Sequence, residues 1–423
     1  MAMGNVGAGP EGGNLLKQVL VEKTIEHIAS HGISNLTMRA VSAEAGGTTA
    51  AIVHHYGSKA GLIAEAASVA LQQEQAWHAR LLEQIQGHRL DHLNFVEWMA
   101  QYLSKRTNRT YSRFWSEVLF HTNIVADGRS IVANWHCLRA DFWADVLRIQ
   151  GIDPYFAQYI ATYMCMEETW SYSLGEFAEY PILVRETLRA LTAGMFGRTW
   201  DEAISVSVWL EERLDRFPLM PPQAPETMEE RLLAMAAQDI LNSGIKLNQR
   251  RIAEMAGASP SMIAYHFESM SAFRNQAVWR AMLRPFDDPQ NPYSQSRAAH
   301  TIEEWATLMA DIIMPVRGKK RSGSYSSFAR AIGEIALLSG RQPEMKTLAE
   351  HLRILDGTAS FQAGNTIWKD VVQLKRGQSS AFAVWLKGQA VLSSALGYDM
   401  KENWDALVGA VTRLIPAQGA IAR

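Results

Sequence analysis

The chain has 423 residues, of which 48 % are hydrophobic and 20 % charged, room for two or more globular domains with substantial cores. A net charge of −2 gives no global support for nucleic-acid binding, so any such site must be a local patch. Cys137 and Cys165 are too few for a disulfide framework, and no spacing resembles a metal site, so neither a metal nor a cofactor is expected.

The start, MAMGNVGAGPEGGN, is Gly-rich and lacks the segments of a signal peptide; residues 1–14 are expected to form a disordered arm. No apolar run is long enough to span a membrane, and a cytoplasmic protein is expected. From Leu15 to His31, Val21, Ile25 and Ile28 share one helical face, and Gly32 suits the helix end. Thr37–Ala45 reads as a short helix capped by Thr37, with Met38, Val41 and Ala45 on one face. Gly46 supplies a turn, Thr48 or Thr49 caps a second short helix, and Ser58 caps a third that begins at Lys59. Helix, glycine turn, helix is the composition of a helix-turn-helix, here closing a three-helix head over residues 15–62.

A long helix from Lys59 to about Ile85 leads out of this head into residues 63–216, which read as a helical bundle rich in aromatics. Residues 217–227, opening FPLMPPQAP, form a Pro-rich linker. The pattern then restarts, with a second head over 228–273 and a second helical region over 274–423. Leu247–Phe273 repeats Leu36–Leu62 at a constant offset of 211: Arg39 matches Arg250, Ala45–Gly46 matches Ala256–Gly257, His55 matches His266 and Ser58 matches Ser269. Upstream, Gly32–Ile33 matches Gly244–Ile245 at 212, so one residue near Asn35 is missing from the second copy. The fold class is therefore all-α, in two tandem units.

The run Thr37, Ala45–Gly46, Thr48, Ile52–Tyr56, Ser58–Lys59 and Leu62 resembles the DNA-binding head of the tetracycline-repressor-like (TetR) family of bacterial regulators. In the second copy those places are held by Asn248, Ala256–Gly257, Ser259, Ile263–Phe267, Ser269–Met270 and Phe273. The resemblance covers about fifty residues in each half. The bodies match only in being helical and of suitable length. Two positions depart from the family pattern. Its phosphate-contacting Tyr is Val53 in one copy and Ala264 in the other, and its Lys is kept as Lys59 but is Met270 in the second. The second head is the more basic, with seven Lys/Arg against three Asp/Glu over residues 231–284.

In a helix-turn-helix the second helix enters the major groove, with its N-terminal residues at the base edges. The exposed candidates are Thr48, Thr49, Ala50 and His54 in copy one, and Ser259, Pro260, Ser261, Met262 and Tyr265 in copy two. Lys59, Arg39, Arg250 and Arg251 are candidates for phosphates. Thr37 and Asn248 open the preceding helices; His55 and His266 stand between buried packing and a phosphate contact. The resemblance implies a transcriptional regulator, commonly a repressor. Its bodies usually pair as a dimer and often bind a small molecule that releases DNA. Two heads on one chain then imply a fused pseudo-dimer on double-stranded DNA, reading two unlike half-sites, with further dimerisation open. Trp98, Tyr102, Trp115, His121, Trp135, Tyr163, Glu167 and Trp170 are the candidate lining for a small apolar or aromatic effector. An activator, or a DNA-independent helical interaction protein with degenerate heads, are the alternatives. No nucleophile elbow, P-loop, dinucleotide fingerprint or HExxH points to an enzyme, and no catalytic residue is assigned.

Overall fold

The computed structural model describes residues 10–198, 205–214, 227–282, 299, 301–314, 323–361 and 374–414, with side chains from Leu15 onward. Within them all regular structure is helical. The first unit opens with α1 (Pro10–His31), a 3-10 turn (Ile33–Asn35), α2 (Met38–Glu44), α3 (Thr49–Tyr56) and α4 (Lys59–Ile85). Its body holds α5 (His92–Thr107), α6 (Thr110–Phe120), α7 (Gly128–Gln150), α8 (Ala157–Leu174), α9 (Tyr180–Thr192) and α10 (Val206–Arg213). The second unit begins with α11 (Met228–Ser243), α12 (Gln249–Met255), α13 (Ser261–His266) and α14 (Met270–Met282). It continues with α15 (Ile302–Ile313), α16 (Ser324–Ser339) and α17 (Lys346–Ile354), then helices Arg376–Leu396 and Met400–Leu414.

The helix limits follow local chemistry. Thr37, Thr48 and Ser58 each accept an N–H from the first turn they precede, at 3.1, 3.3 and 3.1 Å. Of the two candidates for the second cap, Thr48 takes the role. Gly46 sits at φ 66°, a backbone state that a Cβ disfavours. Residues 10–14 of the expected arm belong instead to α1, which starts at Pro10, whose fixed φ suits a first helical position; residues 1–9 lie outside the described residues. Thr227, placed in the linker by sequence, is the N-cap of α11 and closes a capping box with Glu230. The rest of the linker, the loop around Asp287–Ser296 and the basic run Arg317–Arg321 also lie outside the described residues.

The two units share one apolar core that runs from Leu20 to Leu414. At its middle α8 lies against the Arg376–Leu396 helix, and both are buried on almost every face. Gly388 makes the approach possible, since a Cβ there would stand 2.3 Å from the Thr162 carbonyl oxygen. Gly333 on α16 does the same against the ring of Phe120, where a Cβ would stand 2.1 Å away. Ion pairs cross between the units: Arg353 meets Glu167 at 2.8 Å, and both are fully buried. Arg376 reaches Glu211 at 3.0 Å. No helix among the described residues is long and apolar enough to cross a membrane.

Candidate nucleic-acid interface

In the first head, Leu20, Val21, Ile25 and Ile28 of α1 close over Val41 of α2, Ile52 of α3 and Leu62 of α4. This apolar wedge fixes the angle between α2 and α3. The Tyr56 hydroxyl donates to the Lys17 carbonyl oxygen at 2.5 Å, tying the end of α3 back to α1. With Ile52 inward, Thr48, Thr49, Ala50, Val53 and His54 are exposed on one continuous face, while His55 is half-buried beside Tyr56. Thr37 and Arg39 are exposed on α2, and no carboxylate pairs with Arg39 among the described residues. Lys59 differs from expectation: its ammonium donates to the Leu36 carbonyl oxygen at 2.6 Å and holds α4 against the turn before α2. Sequence reasoning passed over Val53 as a surface residue, yet it is 50 % exposed at the centre of the α3 face.

The second head repeats the plan with altered detail. Leu232, Ala236 and Ile240 pack over Ile252, Ile263 and Phe267. Asn248 caps α12 at 3.2 Å and Ser269 caps α14 at 3.0 Å, as Thr37 and Ser58 do in the first. The helix that matches α3 is shorter. Ser259, expected as its cap, instead shares a hydrogen bond with Ser261 at 2.7 Å, and α13 opens after Pro260 without a side-chain cap. It ends where Phe267 turns extended, whereas α3 runs on to a glycine cap at Gly57. Tyr265 stands 79 % exposed, His266 is half-buried, Ser261 is exposed and Met262 half-buried.

Three of the cations counted in this head have partners within the protein. Arg251 pairs with Asp239 of α11 at 2.6 Å, Arg250 with Glu254 at 2.9 Å, and Arg274 donates to Gln342 at 2.7 Å. Two of these partners, Asp239 and Glu254, are already among the three acidic residues of the sequence count, so the pairing decides which cations are engaged and leaves the net excess unchanged.

Each head is joined to its body through one glutamate that sequence reasoning did not single out. The Ile33 N–H donates to Glu117 of α6 at 3.0 Å, and the Ile245 N–H donates to Glu334 of α16 at 3.1 Å. Gly32 and Gly244, at φ 88° and 90°, turn those N–H groups toward the carboxylates. The repeated Gly–Ile pair was the sequence signal for this joint. The first joint has an extra part. Arg341, from the second unit, pairs with Glu117 at 2.6 Å and donates to the Ala29 carbonyl oxygen at 3.1 Å near the end of α1.

The eight residues expected to line an effector pocket do not come together. Trp98 and Tyr102 belong to an aromatic group with Trp77, Phe142 and Trp143. Trp115 and Trp135 meet edge to face, with ring centroids 4.1 Å apart, and Trp170 is fully buried. His121 sits at the end of α6, beside Glu117. Tyr163 and Glu167 lie on the seam between units, where the Tyr163 and Tyr180 hydroxyls and Arg353 all donate to Glu167. Helix periodicity makes such residues all look inward, but cannot say into which of several interiors.

Glu167 and its neighbour Glu168 have different partners. Glu168 joins a buried cluster with Arg106, 2.9 Å away, Arg139 and Glu74. Burial raises the Glu168 carboxyl above its usual range, although the two guanidinium groups pull it down. Burial, with Arg106 and Arg139 nearby, holds the neighbouring His78 well below the ordinary imidazole value. Two clefts lie elsewhere. One of about 640 Å³ is lined by Leu103, Arg113, Tyr172, Tyr180, Arg185 and Lys346. The other, of about 420 Å³, is lined by Phe120, Arg129, Asn242 and Arg330 among others. None of the eight expected residues lines either cleft.

No curated protein matches the chain. Residues 20–66, from α1 through the exposed α3 face into α4, match the family model described as bacterial regulatory proteins, tetR family, which supports a DNA-binding transcriptional regulator of the TetR family.

Proposed function

We propose that this protein is a sequence-specific transcriptional repressor that acts as a fused pseudo-dimer, released from DNA by a small effector. The observation that carries the reading is the family match over residues 20–66, laid on an α3 whose outward face is Thr48, Thr49, Ala50, Val53 and His54. Those short side chains allow close approach to base edges and thymine methyl groups. The pseudo-dimer reading is supported by α8 packed on the Arg376–Leu396 helix, and by the matching Glu117 and Glu334 joints. The two heads present unlike faces, so the operator is proposed to be asymmetric. The first head is proposed to carry most of the affinity, since the family match falls on it and Arg251 and Arg274 of the second are held by Asp239 and Gln342. For the effector, the 640 Å³ cleft is favoured over the buried aromatic groups, because it is open and joins both units: Tyr172 and Tyr180 come from one, Lys346 from the other.

The test is a mobility-shift titration on the DNA upstream of the protein's own coding region, with stoichiometry read by sedimentation. We expect one chain per duplex and an affinity that falls steeply with salt. Thr49→Asp should abolish the shift by setting a charge against the phosphates. Two chains per minimal site would overturn the pseudo-dimer. A shift indifferent to sequence would overturn the regulator.

A further inference from the structure

We propose that the first head holds a site for a borderline divalent cation of the zinc class, formed by His27 and His31 of α1 and Glu44 at the end of α2. His27 and His31 are four residues apart on one helix and therefore share a face, and their ring centroids lie 4.6 Å apart. The fold brings Glu44 to the same place, with its carboxylate 2.7 Å from His27 Nδ1. One ligand atom from each of the three residues can be chosen so that all lie within 4.8 Å of one another. A tetrahedral zinc with bonds of about 2.0–2.1 Å needs its donors roughly 3.4 Å apart. His31 and Glu44 are exposed and can rotate to close that difference, while His27 is 94 % buried and serves as the fixed ligand. Two imidazoles and one carboxylate form a donor set that suits zinc, cobalt or nickel better than magnesium or calcium, with a fourth place left for water.

The comparison within the chain strengthens the assignment. In the second head the matching positions are Asp239, Ser243 and Met255, which cannot form this set. There the seam between the first two helices is closed by the Asp239–Arg251 ion pair at 2.6 Å. The first head closes the same seam with His27 and Glu44, both of which can ligate a metal. An ion at this place would clamp α1 to α2 and stiffen one head of the two. The assignment does not depend on the DNA-binding reading, since it rests on the three side chains alone.

The test uses the full chain freed of metal, titrated with zinc against a chromophoric chelator and with cobalt(II) as a spectroscopic probe. The wild type should bind one equivalent and melt at a higher temperature with zinc. Cobalt should give the strong visible bands of a four-coordinate site. His31→Ala, at an exposed position, should leave the metal-free melting temperature unchanged. It should lower zinc affinity by at least about 10-fold, the lower end of what even a lost outer-shell partner costs, and remove the cobalt bands. Glu44→Gln should weaken binding in the same direction. His54→Ala, at an exposed position on α3, should change neither reading. If His31→Ala keeps the wild-type affinity and spectrum, or the wild type gives only six-coordinate cobalt, the site is overturned.

Discussion

Single residues in this protein matter most where a charge is buried. Glu167 is fully buried and receives Arg353 twice, at 2.8 and 3.1 Å, together with the Tyr163 and Tyr180 hydroxyls. Desolvating two charges costs several kcal/mol, and only this geometry offsets it. Truncating one partner leaves the other buried and uncompensated. Arg353→Ala should therefore destabilise the chain by about 3 kcal/mol, measured by chemical denaturation. Replacing both residues by apolar ones of similar volume should restore most of the loss, because no lone charge then remains. In the sequence Glu167 was legible only as a candidate pocket residue. The two residues stand 186 positions apart, and no local pattern connects them.

At the scale of elements, the joint between head and body decides whether events in one reach the other. Glu117 accepts the buried Ile33 N–H and holds Arg341, which in turn grips the end of α1. Glu117→Ala strands that N–H, a loss of about 1–3 kcal/mol for a buried donor, and frees Arg341. Hydrogen exchange should then speed up around residues 28–36 with little change in α8. A uniform change across the whole chain would show instead that the joint is part of the global core. The second joint has the Glu334 bond, with Arg330 of the same helix 3.8 Å from that carboxylate. We therefore expect Glu334→Ala to loosen its own head with no effect on the first unit. The helices α3 and α13 differ at this scale too. Sequence aligned α3 and α13 residue for residue, yet α13 lost its cap to a Ser259–Ser261 bond. Cap geometry depends on the backbone path into the helix, which residue types alone leave open.

For the whole molecule, stability should depend on pH through histidines kept neutral inside the first body. His78 is 3 % exposed, bonded to the Tyr102 hydroxyl at 3.1 Å, and held well below the ordinary imidazole value by burial and by Arg106 and Arg139. Burial also brings His136 down to about 4. Below the unfolded value of about 6.5 the unfolded chain takes up protons that the folded one refuses, so stability is complete above that pH and falls as pH drops beneath it. Each such histidine contributes a slope of at most about 1.4 kcal/mol per pH unit. Melting followed between pH 7.5 and 5 should show the decline. His78→Gln should flatten it while leaving the pH 7.5 value lower, since the Tyr102 bond is weakened.

Sequence alone determined a great deal: the helical character of the described residues, the shared spacing of Leu36–Leu62 and Leu247–Phe273, the glycine turns, most caps and the inward faces of the short helices. These are local properties, written in spacings of three and four residues and in side chains that bond to their own backbone. The clearest of them, Thr37 to Leu62, is also where the family match falls. Tertiary structure decided what faces what. It set Arg251 against Asp239, Lys59 against the Leu36 carbonyl, Arg353 against Glu167, and the expected pocket aromatics into separate interiors. It also brought Glu44 to His27 and His31, a juxtaposition hidden from a search for metal spacings because the third ligand comes from another helix. Charge and burial act through space between residues far apart in the chain, so a count along the sequence gives the number of cations but not which of them remain free.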